Sequence, residues 1–364
     1  MKKNLFVLSA VALATASAQA YTVLDNKDSG TKIDFTGSAR LVWKSTSEKA
    51  TDANGDTEKE HINHAVANNG SRFGFKITQQ LGGDFYALGR VEWRFRGTSS
   101  SQHDFDDIYT RQLYAGIGSK TYGELTYGHM TVITDNVKQT DLPNTLSLSD
   151  GLLVGSARKV AQYTYKGIEG LTLGGFYGNE SKRNNLGLDL ANKRKDVFGL
   201  AAIYNHKIDD KQSVKFGTGV TRARSLNSNG STYDRTAYAF GTAYTFDKTT
   251  VGLDLERAVT NDQVLVGNKR VQKEVRTVLE QKLTNDWRAY TMYAYKTNRL
   301  DRVAGNDTES KAHQFMIGTE YYIVPNYVKV FVEGATHRAK NYTNGVKSGK
   351  VRDNIAAIGL RASW

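Results

Sequence analysis

DFYALGRVEWRFRG, residues 84–97, decides the fold. Read at a period of two, Phe85, Val91, Trp93 and Phe95 fall on one side. Arg90, Glu92, Arg94 and Arg96 fall on the other. Helical spacing would mix the two sets. One side is fit for hydrocarbon and the other for water, so the stretch reads as a strand separating the two. A lipid-facing arginine at mid-bilayer costs roughly 2–4 kcal/mol, and a slip of one residue would expose all three arginines.

The same alternation recurs along the chain. The spacing predicts strands at 31–44, 69–80, 84–96, 107–117, 123–131, 158–167, 170–179, 195–206, 212–222, 235–246, 249–259, 271–284, 287–298, 311–323, 327–338 and 351–364. Short connections such as LGGD (81–84), KTYG (120–123), IDDK (208–211) and FDKT (246–249) alternate with long polar ones such as 45–65, 96–105, 179–195 and 298–310. An even number of strands with short turns at one end and long loops at the other describes an antiparallel up-and-down β-barrel of sixteen strands in an outer membrane. Sandwiches and propellers lack that strict rhythm.

The remaining sequence narrows the class. MKKNLFVLSAVALATASAQA (1–20) has a basic start, a short apolar run and a small-x-small end, as a cleaved secretory signal does. Residues 21–364 then form one barrel domain outside the cytoplasm. No further apolar run is long enough for a membrane helix. The chain has no Cys, 2 Pro, 34 Gly and 20 Tyr, so neither disulfides nor thiolate metal sites hold it. A net charge of +12 invites a nucleic-acid reading, but a secreted chain argues against one. Attraction to anionic lipopolysaccharide is a better use for external Lys182, Arg183, Lys193, Arg194 and Lys195. DANGDTEKE (52–60) lacks the glycine and distal glutamate of a calcium loop. The 7 His show no metal-ligand spacing. His129 and His313 fall on outward positions, which speaks against catalysis. No cofactor is expected.

Parity then assigns the lumen. Ile33, Phe35, Leu41 and Trp43 face lipid, which turns Arg40 and Lys44 inward. In SRFGFKIT (71–78), Phe73, Phe75 and Ile77 point out, and Arg72 and Lys76 point in. Arg90 and Arg94 join them. The strand at 107–117 reads two ways: Arg111 is luminal if Gln112 and Tyr114 face lipid, but Leu113 and Ala115 suit the opposite register. Arg158 shares parity with Gln162 and Thr164 and is expected inside. Together Arg40, Lys44, Arg72, Lys76, Arg90, Arg94, Arg111 and Arg158 form a basic wall. TVITDNVKQTDLPNTLSLSDGLLVGSA (131–157) is too long and too apolar for an exposed loop. Leu142, Leu146, Leu148, Leu152, Leu153 and Val154 need a dry surface, which the barrel interior supplies. This third loop is expected inside, carrying Asp135, Asp141 and Asp150 toward the basic wall. The field between them would sieve solutes by charge.

SRFGFK, RQLYAGIG (111–118), VEGATHRAK (332–340) and VRDNIAAIGLRASW (351–364) resemble the general diffusion porins of Gram-negative bacteria, most closely the Pasteurellaceae major outer-membrane porins of the porin H type. The resemblance runs from the leader to the last residue. It implies a homotrimer of barrels in the outer membrane, each a water-filled pore for small hydrophilic solutes, with Arg72 and Arg111 at the constriction. It also implies delivery by periplasmic chaperones to the barrel-assembly machinery, which would read the terminal aromatic. Porins of that group usually end in Phe, and here Trp364 supplies the ring. A substrate-specific channel and a structural or adhesive barrel are the alternatives. The first would need a luminal aromatic ladder, whereas most aromatics here point to lipid.

Overall fold

Alternating strands leave every second side chain on one face, and a closed sheet satisfies every backbone hydrogen bond where no water can. The computed structural model describes residues 20–96, 107–141 and 144–364. The expected leader, apart from Ala20, lies outside the described residues, as do Leu142 and Pro143 of the inward loop.

Sixteen strands make the wall: β1 Thr31–Thr51, β2 Arg72–Gly82, β3 Phe85–Phe95, β4 Ile108–Ser119, β5 Gly123–Thr131, β6 Ser156–Ile168, β7 Leu171–Gly178, β8 Asp189–Lys207, β9 Gln212–Leu226, β10 Thr232–Phe246, β11 Thr249–Asn261, β12 Lys269–Lys282, β13 Trp287–Asp301, β14 Thr308–Val324, β15 Val328–Thr343 and β16 Val346–Ser363. Each pairs antiparallel with the next. β16 pairs β1 from Ser38↔Ser363 to Thr51↔Lys350 and closes the barrel. At the seam the Trp364 N–H donates to Gly37 O at 3.1 Å, and the Gly37 N–H donates to Trp364 O at 2.8 Å. The Trp364 indole lies over Gly37, where a Cβ would overlap the ring.

The long-loop ends differ from the sequence reading. β1 runs on to Thr51 and turns back through Thr57–Asn63, so most of 45–65 is a projecting hairpin rather than a loop. β8 likewise begins at Asp189, six residues early, and β16 at Val346. Beyond the membrane both faces of a strand meet water. The hydrophobic alternation stops there, while the backbone ladder continues.

The outer face is apolar. Phe35 packs on Phe75 with centroids 5.1 Å apart, and Phe73 on Trp93 at 5.4 Å. Tyr122, Tyr163, Tyr204, Phe246, Trp287 and Tyr321 are exposed near the short turns, as an aromatic girdle requires. Those turns are locked locally. Asp84 accepts from Ser119 Oγ at 2.6 Å and from the Thr121 N–H at 3.1 Å. These hydrogen bonds hold its carboxyl below the usual range.

The core sits inside the barrel. Residues 131–141 and 144–157 lie in the lumen, entering through a 3-10 turn at Ile133–Val137. Val132, Ile133 and Val137 pack with Phe176, Val197, Ala201, Ile203 and Ala239. Leu146 and Leu148 pack with Val42, Val278, Tyr290, Met292 and Met316. Leu152 packs with Ala237 and Ala258.

Candidate functional site

The lumen has two unlike walls. On β1–β4 one carboxylate gathers the arginines. Glu92 accepts from Arg94 Nε at 2.6 Å, Arg90 Nη2 at 3.1 Å and Gln112 Nε2 at 3.2 Å, and Arg72 Nη1 stands 4.0 Å away. Arg40, whose Nε donates to Ser38 Oγ at 2.8 Å, is electrostatically coupled to Arg72, Arg94 and β16 Arg361. Lys76 pairs across the sheet with Asp34 and Arg90, and it is exposed. Lys44 lies farther along β1, coupled to Glu333. One buried acid among this many cations leaves the wall strongly positive, while charge-assisted bonds to Glu92 hold Arg90 and Arg94 in place.

Arg111 reaches this cluster by a β-bulge. Trp93 pairs with Thr110 and Glu92 with Gln112, so Arg111 is an extra residue. Arg111 is coupled to Arg94, Glu92 and Asp135. Gln112 bonds Glu92 and Tyr114 packs on the inward-loop core, while Leu113 is exposed on the lipid side. The two readings of this strand therefore combine: Gln112 and Tyr114 turn inward with Arg111, because a bulge lets successive side chains share a face.

Arg158 is corrected. A second irregularity sets Met130 against Ala157 and Gly128 against Val160, and Lys159 takes φ +54°. Ala157 and Val160 both face the loop core, so parity fails between them. The Arg158 Nε donates to Asn184 O at 2.8 Å. Its side chain lines a cleft of about 610 Å³ with Leu113, Tyr127 and His129 on the outer side, away from the Glu92 cluster.

The inward loop is held by acidic side chains of β11, β14 and β15. Asp254 Oδ1 accepts the Gln139 N–H at 2.8 Å, and Oδ2 accepts the Thr140 N–H at 3.1 Å. Glu333 Oε2 accepts the N–H groups of Thr145 and Leu146 at 3.1 and 2.7 Å. Glu256 accepts the Leu152 N–H, and Arg235 Nη1 donates to Leu152 O at 2.6 Å. Asn144 Nδ2 donates to Glu320 and to the Tyr290 hydroxyl. Fully buried Arg276 bridges Asp254, Glu256 and Glu274, which ties the acids that hold the loop into one network. Three wall glycines make room for the backbone. A Cβ on Gly217 would lie 2.5 Å from Val137 O, one on Gly252 2.9 Å from Gln139 O, and one on Gly241 would overlap Val137 O and Asp254.

These anchors escaped the sequence reading, although VGLDLERA (251–258) carries their parity: Val251, Leu253 and Leu255 outward, Asp254 and Glu256 inward. The loop acids are also placed differently from expectation. Asp150 pairs with Lys296 on β13, away from the β1–β4 arginines. Asp135 and Asp141 share Lys138, each at 3.6 Å, and Asp135 is the one coupled to Arg111.

Residues 6–341 match the model of the Gram-negative porin family. The chain belongs to that family. Along its full length this porin is 28% and 26% identical to two major outer membrane proteins of Pasteurella multocida, both covered completely. Among solved structures, the anion-selective porin from Comamonas acidovorans superposes with a TM-score of 0.67 at 15% identity, covering 92% of this chain and all of that one. The trimer form of Vibrio cholerae OmpT gives 0.64 at 16%, with the same coverage. Both likenesses show the fold. The protein is a multi-pass β-barrel of the outer membrane, and its family and architecture are those of a channel.

Proposed function

We propose that this porin is a general diffusion channel: a water-filled pore, assembled as a homotrimer, that passes small hydrophilic solutes and ions and sieves them by size and charge. The observation that carries this is the pinned loop across the lumen from the Glu92-centred arginines. The loop narrows the path. Arg40, Lys44, Arg72, Lys76, Arg90, Arg94 and Arg111 line its far side, so passing anions are favoured. Asp135 is the loop acid placed to oppose them. The solved relatives lend support, one being described as anion-selective and another as a trimer. Among the described residues the aromatics turn mainly outward, which weakens the substrate-specific reading. The channel reading makes the chain a passive conduit rather than an enzyme. Residues 1–20 serve as a removable leader. The Trp364 ring at the seam serves as the signal for the assembly machinery, and chaperones, lipids and lipopolysaccharide are its partners on the way and in the membrane.

Single-channel recording in a planar bilayer, with a reversal potential under a salt gradient, tests the proposal. Stepwise ohmic openings with weak anion preference are expected. A purified folded barrel that carries no current would overturn it in favour of a structural role.

A further inference from the structure

A second cationic site lies beneath the loop, at the short-turn end of β6–β9. There a cleft of about 500 Å³ opens between the loop and the wall, lined by Lys138, Lys166, Lys215, Asn205 and Thr172, with Asp135 and Asp141 at the loop side. Lys138 engages both acids, each at 3.6 Å. Lys166 on β6 and Lys215 on β9 are different. Among the described residues neither has a carboxylate within 4.0 Å. Lys166 is exposed and Lys215 is half-buried. The two acids of the cleft, Asp135 and Asp141, are both engaged by Lys138, which leaves Lys166 and Lys215 without a carboxylate of the described residues in contact.

We propose that this cleft is a binding station for divalent oxyanions, held by Lys166 and Lys215 with Asn205 and Thr172 as neutral donors. The proposal rests on the channel reading above. Each lysine offers three rotatable N–H donors. An oxyanion can accept from both lysines and from an amide at once, and chloride cannot use that many directed donors. A double charge also gains twice the Coulomb attraction of a single one in the same field. A low-dielectric wall focuses that field on the lumen. The short-turn end faces the periplasm, so the station meets a solute after the arginine wall on its way in.

Inorganic phosphate is the probe. Bilayer conductance is measured in potassium phosphate and in potassium chloride at mildly alkaline pH, where phosphate is mainly divalent. Wild-type conductance should saturate with phosphate and rise steadily with chloride. The Lys166→Gln/Lys215→Gln variant should lose the saturation and lower the phosphate-to-chloride permeability ratio about threefold or more, with chloride current nearly kept. Lys166→Arg/Lys215→Arg should retain both properties, which separates lost charge from lost folding. If wild type conducts chloride but phosphate current never saturates, or if the Gln pair leaves the ratio unchanged, the station is overturned and the channel stands. A folded barrel that conducts neither salt overturns the channel reading, and the station with it.

Discussion

Asp254 holds Thr140 twice, accepting its backbone N–H at 3.1 Å and its Oγ1–H at 2.5 Å. One residue of the barrel wall thereby fixes the middle of a loop that enters the lumen between β5 and β6. The loop cannot swing toward the arginines without breaking both bonds, and the Gln139 bond to the same carboxylate.

Asp254→Ala should therefore loosen the loop while leaving the barrel closed. Hydrogen bonds to a charged acceptor contribute ~1.5–3 kcal/mol each. Single-channel records should show noisier openings with altered mean conductance, and heat-modifiable mobility on gels should persist. Quiet wild-type openings in the variant would show that Asp254 is dispensable as an anchor.

The glycine floor gives an independent steric test. Gly241→Val places a side chain where Val137 O and Asp254 already stand. It should displace the loop or prevent assembly. Gly334→Ala, where nothing lies within 4 Å of the new Cβ, should behave as wild type. Equal behaviour of the two variants in conductance and yield would remove the close backbone approach from the account.

Charge selectivity should follow the arginines. Arg72→Ser/Arg111→Ser should enlarge the conductance slightly and shift the reversal potential toward cations at low salt. The shift should fade at 1 M salt, where the screening length is about 3 Å. Strong cation preference in the unmodified protein, or no shift in the double variant, would take these two residues out of the selectivity filter. Arg158→Ser should change selectivity far less, because that guanidinium lies outside the cluster.

Trp364→Asp tests the seam. The variant loses the ring over Gly37 and puts a charge at the lipid interface. If the terminal ring serves as the proposed assembly signal, accumulation of folded barrel in cells should fall severalfold, more than a charge costing roughly 0–1 kcal/mol near the interface would explain alone. Once purified, the few assembled barrels should conduct normally. Undiminished accumulation would separate Trp364 from assembly.

Period-two alternation made the wall legible in the sequence. In β1, β2 and β3 the aromatic and arginine sets are cleanly separated, since a mistake in facing would bury charge in lipid. The same reasoning found an apolar third loop that needed an interior. Alternation carries no information where the ladder slips. At Arg111 and at Arg158–Lys159 an extra residue breaks the parity, and neighbouring strands decide which side the guanidinium takes. In one case that is the lumen beside Glu92, in the other an outer cleft beside Leu113. The loop's anchors were equally hidden. Asp254, Glu256 and Glu333 are ordinary inward-facing acids on β11 and β15 until the loop crosses the barrel and brings its bare N–H groups to them. That meeting joins residues more than a hundred positions apart, and only the closed barrel sets the distance between them.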